Sequence, residues 1–152
     1  MVGNEVNIAD LVKIKEGDYQ GVEGQVIGMK HWYGSYRNSE KILCMIKTDE
    51  KMIPAFKYEV DILKESPYTS PQLGDKVKVT NESHELYNQE ATISFVGLEG
   101  FRATYFLSES VFNQHDLVYK NRKWQQLSLI KNDKKIIVAG STDLEVMQQH
   151  SP

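Results

Sequence analysis

The chain has 152 residues, 18 Lys+Arg against 21 Asp+Glu, a formal charge of −3 and 40% hydrophobic residues. That length and composition suit one ordinary globular domain or two small ones, and exclude disordered and fibrous classes. The mild acidity also speaks against nonspecific coating of nucleic acid, which needs a strong basic excess.

The single cysteine, Cys44, leaves no internal disulfide, which suits a reducing compartment. No apolar run approaches the ~20 residues of a membrane helix, and the N-terminus has no basic-then-apolar leader. The expectation is a soluble, cytoplasmic protein without membrane contact.

Helical periodicity is nearly absent along the chain. Leu11-Val12-Lys13-Ile14, Gln25-Val26-Ile27, Ile42-Leu43-Cys44-Met45-Ile46 and Met52-Ile53 are strand-length apolar runs separated by turn residues. Val77-Lys78-Val79, Ala91 to Val96 and Ala103 to Leu107 repeat the pattern. The class is mainly β. Ser66-Pro67-Tyr68-Thr69-Ser70-Pro71 punctuates the chain, because each proline fixes φ and removes a backbone donor.

Similar stretches flank that connector. Asp10-Leu11-Val12-Lys13-Ile14 opens the first and Val60-Asp61-Ile62-Leu63 ends it, whereas Asp75-Lys76-Val77-Lys78-Val79 opens the second and Asp116-Leu117-Val118 ends it. Phe56 and Phe112 stand shortly before the closing Asp of each. The economical division is a first unit at 1–65, a linker at 66–71, a second and degenerate unit at 72–118, and a C-terminal piece at 119–152. The last piece reads as a hairpin pairing 124–130 with 135–139, and Thr142 with Glu145 suggests a capping box for a short helix. Charge divides as −4 over 71–118 and +3 over 119–152, making the second unit the acidic one.

The most informative stretch is Asp10 to Ile27: an alternating strand, a turn carrying Gly17 and Gly21, and a second strand begun by Gly24. The two turn glycines suit positive φ, and Gly24 suits a bulge or a close backbone approach. Val12, Ile14, Gly17, Tyr19, Gly21, Gly24 and Val26 give this stretch its likeness: it resembles the KOW motif of NusG-type transcription factors and several ribosomal proteins. The resemblance implies tandem SH3-like small β-barrels and a binding role toward RNA, ribosome or RNA polymerase. The second unit keeps Gly74, Val77 and Val79 but has Asn81 to Asn88 where the first has its glycine turn.

Binding candidates are Tyr19 and the stretch Lys30 to Lys41, read as a long loop carrying His31, Trp32, Tyr33, Tyr36 and Arg37. Aromatics interleaved with cations either stack bases and meet phosphate or anchor a protein interface. A hairpin folded back on its own barrel, burying Trp32, is the bland alternative. Arg122, Lys123, Trp124, Lys134 and Lys135 form a secondary basic face, read first as a solvated surface whose lysines protect a strand edge.

The four histidines are scattered, and neither zinc spacing nor a phosphate-loop or nucleophile-elbow motif is present. The expectation is a non-enzymatic module without metal or cofactor. It engages a protein or ribonucleoprotein surface of the transcription or translation machinery, with direct nucleic-acid contact disfavoured by the charge. The alternative is a small phage-type inhibitor or adaptor whose acidic second unit docks on a basic, nucleic-acid-binding surface.

Overall fold

The computed structural model describes residues 6–33, 40–67, 71–108, 117–126 and 137–148. The chain divides into two compact units, Met1–Thr69 and Ser70–Pro152. Both are mainly β.

In the first unit, β1 (Leu11–Ile14), β2 (Glu23–Tyr33), β3 (Glu40–Lys47), β4 (Met52–Phe56) and β5 (Val60–Lys64) are all antiparallel, in the order β5-β1-β2-β3-β4. The alternation of β1 decides which face is core: Val12 and Ile14 are buried while Leu11 and Lys13 are exposed. They join Val26, Cys44, Ile46, Ile53 and Val60 in the buried interior. A register shift between Val26 and Gly28 interrupts the β2–β3 ladder.

The strands at the two ends of this order, β4 and β5, are joined by a 3-10 turn, Lys57–Glu59. The Phe56 N–H donates to Glu59 Oε1 at 2.8 Å, and the Lys15 N–H donates to the Glu59 carbonyl at 2.8 Å. No β4–β5 ladder is present among the described residues. The sheet is linked end to end by the chain and not closed into a hydrogen-bonded barrel.

In the second unit, β6 (Lys76–Val79), β7 (Glu90–Glu99) and β8 (Arg102–Ser108) are followed by β9 (Leu117–Lys120), β10 (Lys123–Gln126), β11 (Ile137–Gly140) and β12 (Leu144–Gln148). Pairing runs β12-β6-β7-β8-β11, again antiparallel, with a 3-10 turn, Ser141–Asp143, between the last two strands in sequence. This is the first unit's plan repeated.

The details repeat as well. The Asn7 N–H donates to buried Asp10 and the Gln72 N–H to buried Asp75, each at 2.8 Å. Ala9 at φ 73° and Gly74 at φ 85° fill the same left-handed position of that turn. Val26 and Ile93 make the same two backbone bonds, accepting from residue 9 or 74 and donating to residue 10 or 75. Asp143 Oδ2 accepts from the Gly140 N–H at 2.9 Å, as Glu59 does from Phe56.

Four sequence expectations change here. The second unit closes on Leu144–Gln148, and not on Asp116-Leu117-Val118. Residues 124–126 pair with 117–119 and β11 pairs with β8, so the described ends of the expected 124–130/135–139 hairpin pair elsewhere, and its middle, 127–136, lies outside the described residues. Thr142 and Glu145 start no helix, because the chain makes one 3-10 turn and returns as β12. The barrels expected from the family resemblance are open sheets.

The β9–β10 hairpin is an insertion between the third and fourth strands of the repeated plan. It packs on part of the stretch of β7 after Ser94, where Phe95 to Leu98 are all buried. Trp124, 7% exposed, lies 4.9 Å from the Phe95 ring and covers Gly97, where a Cβ would sit 2.5 Å from Trp124 Cδ1. One face of β7 packs on its own unit's core and the other is roofed by the insertion.

Candidate functional site

Tyr19 sits on the connection between β1 and β2, which the two glycines shape. Gly17 and Gly21 take φ 96° and 93°, a region that costs other residues about 1–2 kcal/mol. The loop is tied by Gln20 N–H to Gly17 O at 3.2 Å, Val22 N–H to Tyr19 O at 3.1 Å and Gly21 N–H to Ile14 O at 2.7 Å. The result is a Tyr19 ring 39% exposed on a fixed backbone.

The partner of that ring comes from the β3–β4 turn. Thr48 Oγ1 accepts from the Lys51 N–H at 3.1 Å and donates to the Lys51 carbonyl at 2.9 Å, while the Thr48 N–H also reaches that carbonyl. Held this way, Lys51 places its Nζ 4.8 Å from the centroid of Tyr19. At an exposed site such a cation–π contact is worth about 0.5–1 kcal/mol. Beside it opens a groove of about 630 Å³ lined by Leu11, Val22, Gly24, Gln25 and the turn from Lys47 to Lys51. Gly24 lets β3 come close along this lining, since its Cβ would stand 2.6 Å from the Lys47 carbonyl oxygen. An aromatic ring, a tethered ammonium and an open groove with carboxylates at its rim form a recognition surface.

The other expected residues are distributed differently. His31, Trp32 and Tyr33 belong to β2, and Lys41 to β3, so both described ends of the expected 30–41 loop are paired strand, and 34–39 lie outside the described residues. His31 is half-buried and pairs with Ile42 in register, while Tyr33 pairs with Glu40. Lys30 is buried, and desolvation holds its ammonium below the usual lysine range. Tyr36 and Arg37 lie outside the described residues. The register sets Gln25 against Lys47 and Tyr33 against Glu40, at opposite ends of one ladder. At about 3.3 Å per residue these ends are about 26 Å apart along the strand. The loop that carries Tyr19 enters β2 at the end opposite to the one where Tyr33 lies.

On the secondary basic face, Arg122 and Lys123 are exposed at the β9–β10 turn, but Trp124 is core and cannot meet a ligand. Lys134 and Lys135 lie outside the described residues. Cys44 is fully buried, and desolvation pushes its thiol up to about 12, which leaves it protonated and inert. No group of three metal-ligating side chains occurs among the described residues.

Sequence reasoning missed Lys51 and the groove. The Gly24 signal pointed at the close approach, which is made to Lys47 and Ile46. No protein-family model, curated protein or solved structure matches the chain.

Proposed function

We propose that the protein is a non-enzymatic binding module of two related small β units, engaging a protein or ribonucleoprotein surface of the transcription or translation machinery. The observation that carries this reading is the Tyr19–Lys51 pair, whose lysine also lines the first unit's groove. A ring fixed by a tied loop loses little entropy on contact, and Tyr beside a cation is a common interface anchor. The KOW-like positions that build this loop point to the same class of partner.

The inhibitor reading is less well supported, because it relied on an acidic second unit. With the hairpin and closing strands included, residues 70–152 hold nine basic and ten acidic side chains, a net of −1. Residues 1–69 hold nine and eleven, a net of −2, so the charge contrast between units disappears.

A photo-crosslinking amino acid at position 19, with position 58 as an exposed control in the same unit, tests the reading. The expected result in cells is a crosslink from position 19, absent from 58, to a polymerase subunit, a ribosomal protein or ribosomal RNA. Crosslinks that are the same from both positions, or that miss that machinery altogether, would sink it.

A further inference from the structure

The second unit carries a surface of its own, independent of the Tyr19 groove. At the β9–β10 turn, Lys120 and Lys123 form the last rung, and Asn121 and Arg122 make the two-residue loop at φ 56° and 63°. Two consecutive positive φ values define the hairpin turn that favours Asn-Gly. Here the glycine position is taken by Arg122, whose side chain gains nothing from that backbone conformation. Directly below it, two lysines face one another across the ladder, a like-charge pairing that also disfavours the hairpin. One exposed tip thus carries two local penalties, the mark of residues kept for a role other than stability.

A second tip adjoins it. The β7–β8 turn is Glu99-Gly100-Phe101-Arg102, with Glu99 and Arg102 as its last rung and Gly100 at φ 64°. The Trp124 N–H donates to Glu99 Oε1 at 3.3 Å, tying the first residue after one tip's rung to the rung of the other. Trp124 packing over Gly97 and against Phe95 fixes the same approach. Phe101 is 92% exposed, the most exposed large hydrophobic among the described residues, and Arg102, Lys120, Arg122 and Lys123 are exposed on the same two tips. Residues 99–102 and 120–123 thus hold four cations against one carboxylate, and that carboxylate, Glu99, is engaged with a backbone N–H.

The geometry points to a binding site for single-stranded nucleic acid at these twin hairpin tips. The cations meet consecutive phosphates, and the exposed face of Phe101 stacks on a base. An aromatic platform flanked by cations suits a single strand, whose bases are open to stacking, better than a duplex, whose bases are not. The chain's overall acidity does not oppose this, because screening confines the relevant field to about 8–10 Å around the tips.

Fluorescence anisotropy with the full chain tests the site, using labelled oligouridylate, a duplex of equal length and a labelled polyglutamate peptide. The expected result is tighter binding of the single strand than of either competitor, weakening steeply with salt. Arg122→Gly should weaken it roughly fivefold and lower the log–log salt slope by about 0.7, one phosphate's share on a single strand. It should also leave the unfolding temperature unchanged or higher, since glycine fits the turn. Phe101→Ala should weaken single-strand binding about tenfold while leaving duplex binding nearly unchanged. No single-strand binding at low salt, or binding indifferent to both substitutions, would overturn the assignment. Tighter binding of polyglutamate would also overturn it, in favour of an acidic protein partner. None of these outcomes bears on crosslinking from position 19.

Discussion

The two units share a strand order, a buried aspartate in the entry turn, a bulge in the second strand and a 3-10 turn before the last. They differ in what they add. The first places its aromatic on a glycine-shaped loop and leaves it exposed, whereas the second inserts a hairpin and buries Trp124 against β7. The difference teaches that an aromatic beside a turn is surface or core according to whether another strand's face needs covering. In the second unit Phe95 and Gly97 are the surface that the Trp124 ring covers.

Six substitutions probe the comparison. The largest effect belongs to Trp124→Ala, which empties an aromatic cluster with Phe95 and Tyr119. Urea denaturation should show a loss of about 3–5 kcal/mol. Tyr19→Ala in the first unit should change stability by less than about 0.5 kcal/mol. Equal losses from the two would erase the distinction drawn between the aromatics.

Gly24→Ala comes next. Its counterpart is Ala91: Gly24 pairs with Val12 as Ala91 pairs with Val77. Unit 2 tolerates a methyl where unit 1 would meet the Lys47 carbonyl and Ile46 Cγ2, at 2.6 and 2.7 Å. Denaturant midpoints should report a destabilisation of about 1–3 kcal/mol. A neutral result would mean that β2 and β3 can separate at no cost.

The left-handed positions give a smaller effect. Gly74→Ala should cost about 1–2 kcal/mol, since φ there is 85°. Gly21→Asn should be tolerated to within about 0.5 kcal/mol, because Asn88 holds φ 70° at the equivalent place and makes the same bond, N–H to Val79 O, that Gly21 makes to Ile14 O. Thermal melts of both variants decide whether these positions are equivalent.

The smallest effect is acid sensitivity at the second 3-10 turn. Hydrogen bonds from the Asn81 amide and the Gly140 N–H hold the Asp143 carboxyl below the usual carboxylate range. A folded value below the unfolded one means that the stabilisation is present above the unfolded value of about 3.8 and is lost as pH falls through the folded one. Asp143 is partly exposed, so solvent screening limits the effect to a few tenths of a kcal/mol. Melts of the wild type and Asp143→Asn should differ at pH 6 and converge near pH 2. A constant difference across that range would assign the contribution to packing.

Much of the fold was legible in the chain because it is local. Alternation in Leu11 to Ile14 and Lys76 to Val79 fixes which side chains face inward, since a strand's period is two whatever it pairs with. Gly17, Gly21 and Gly24 announced a tight connection and a close approach, because missing Cβ atoms are visible in sequence. Tyr19 could be chosen as a site residue on that basis. Lys51 could not, because it reaches the ring only after β3 and β4 fold the chain back.

What only the tertiary structure decided is which strands pair. Asp116-Leu117-Val118 resembles a closing strand as well as Asp143-Leu144 does, and nothing local separates them. The choice goes to Leu144–Gln148, which lies along β6 after the same 3-10 turn that precedes Val60–Lys64, and 117–120 is left to pair with β10. Likewise, no local signal shows that Phe101 and Arg122 stand on neighbouring tips. That juxtaposition depends on Trp124 meeting Gly97 and Glu99, a contact made through packing and not along the chain.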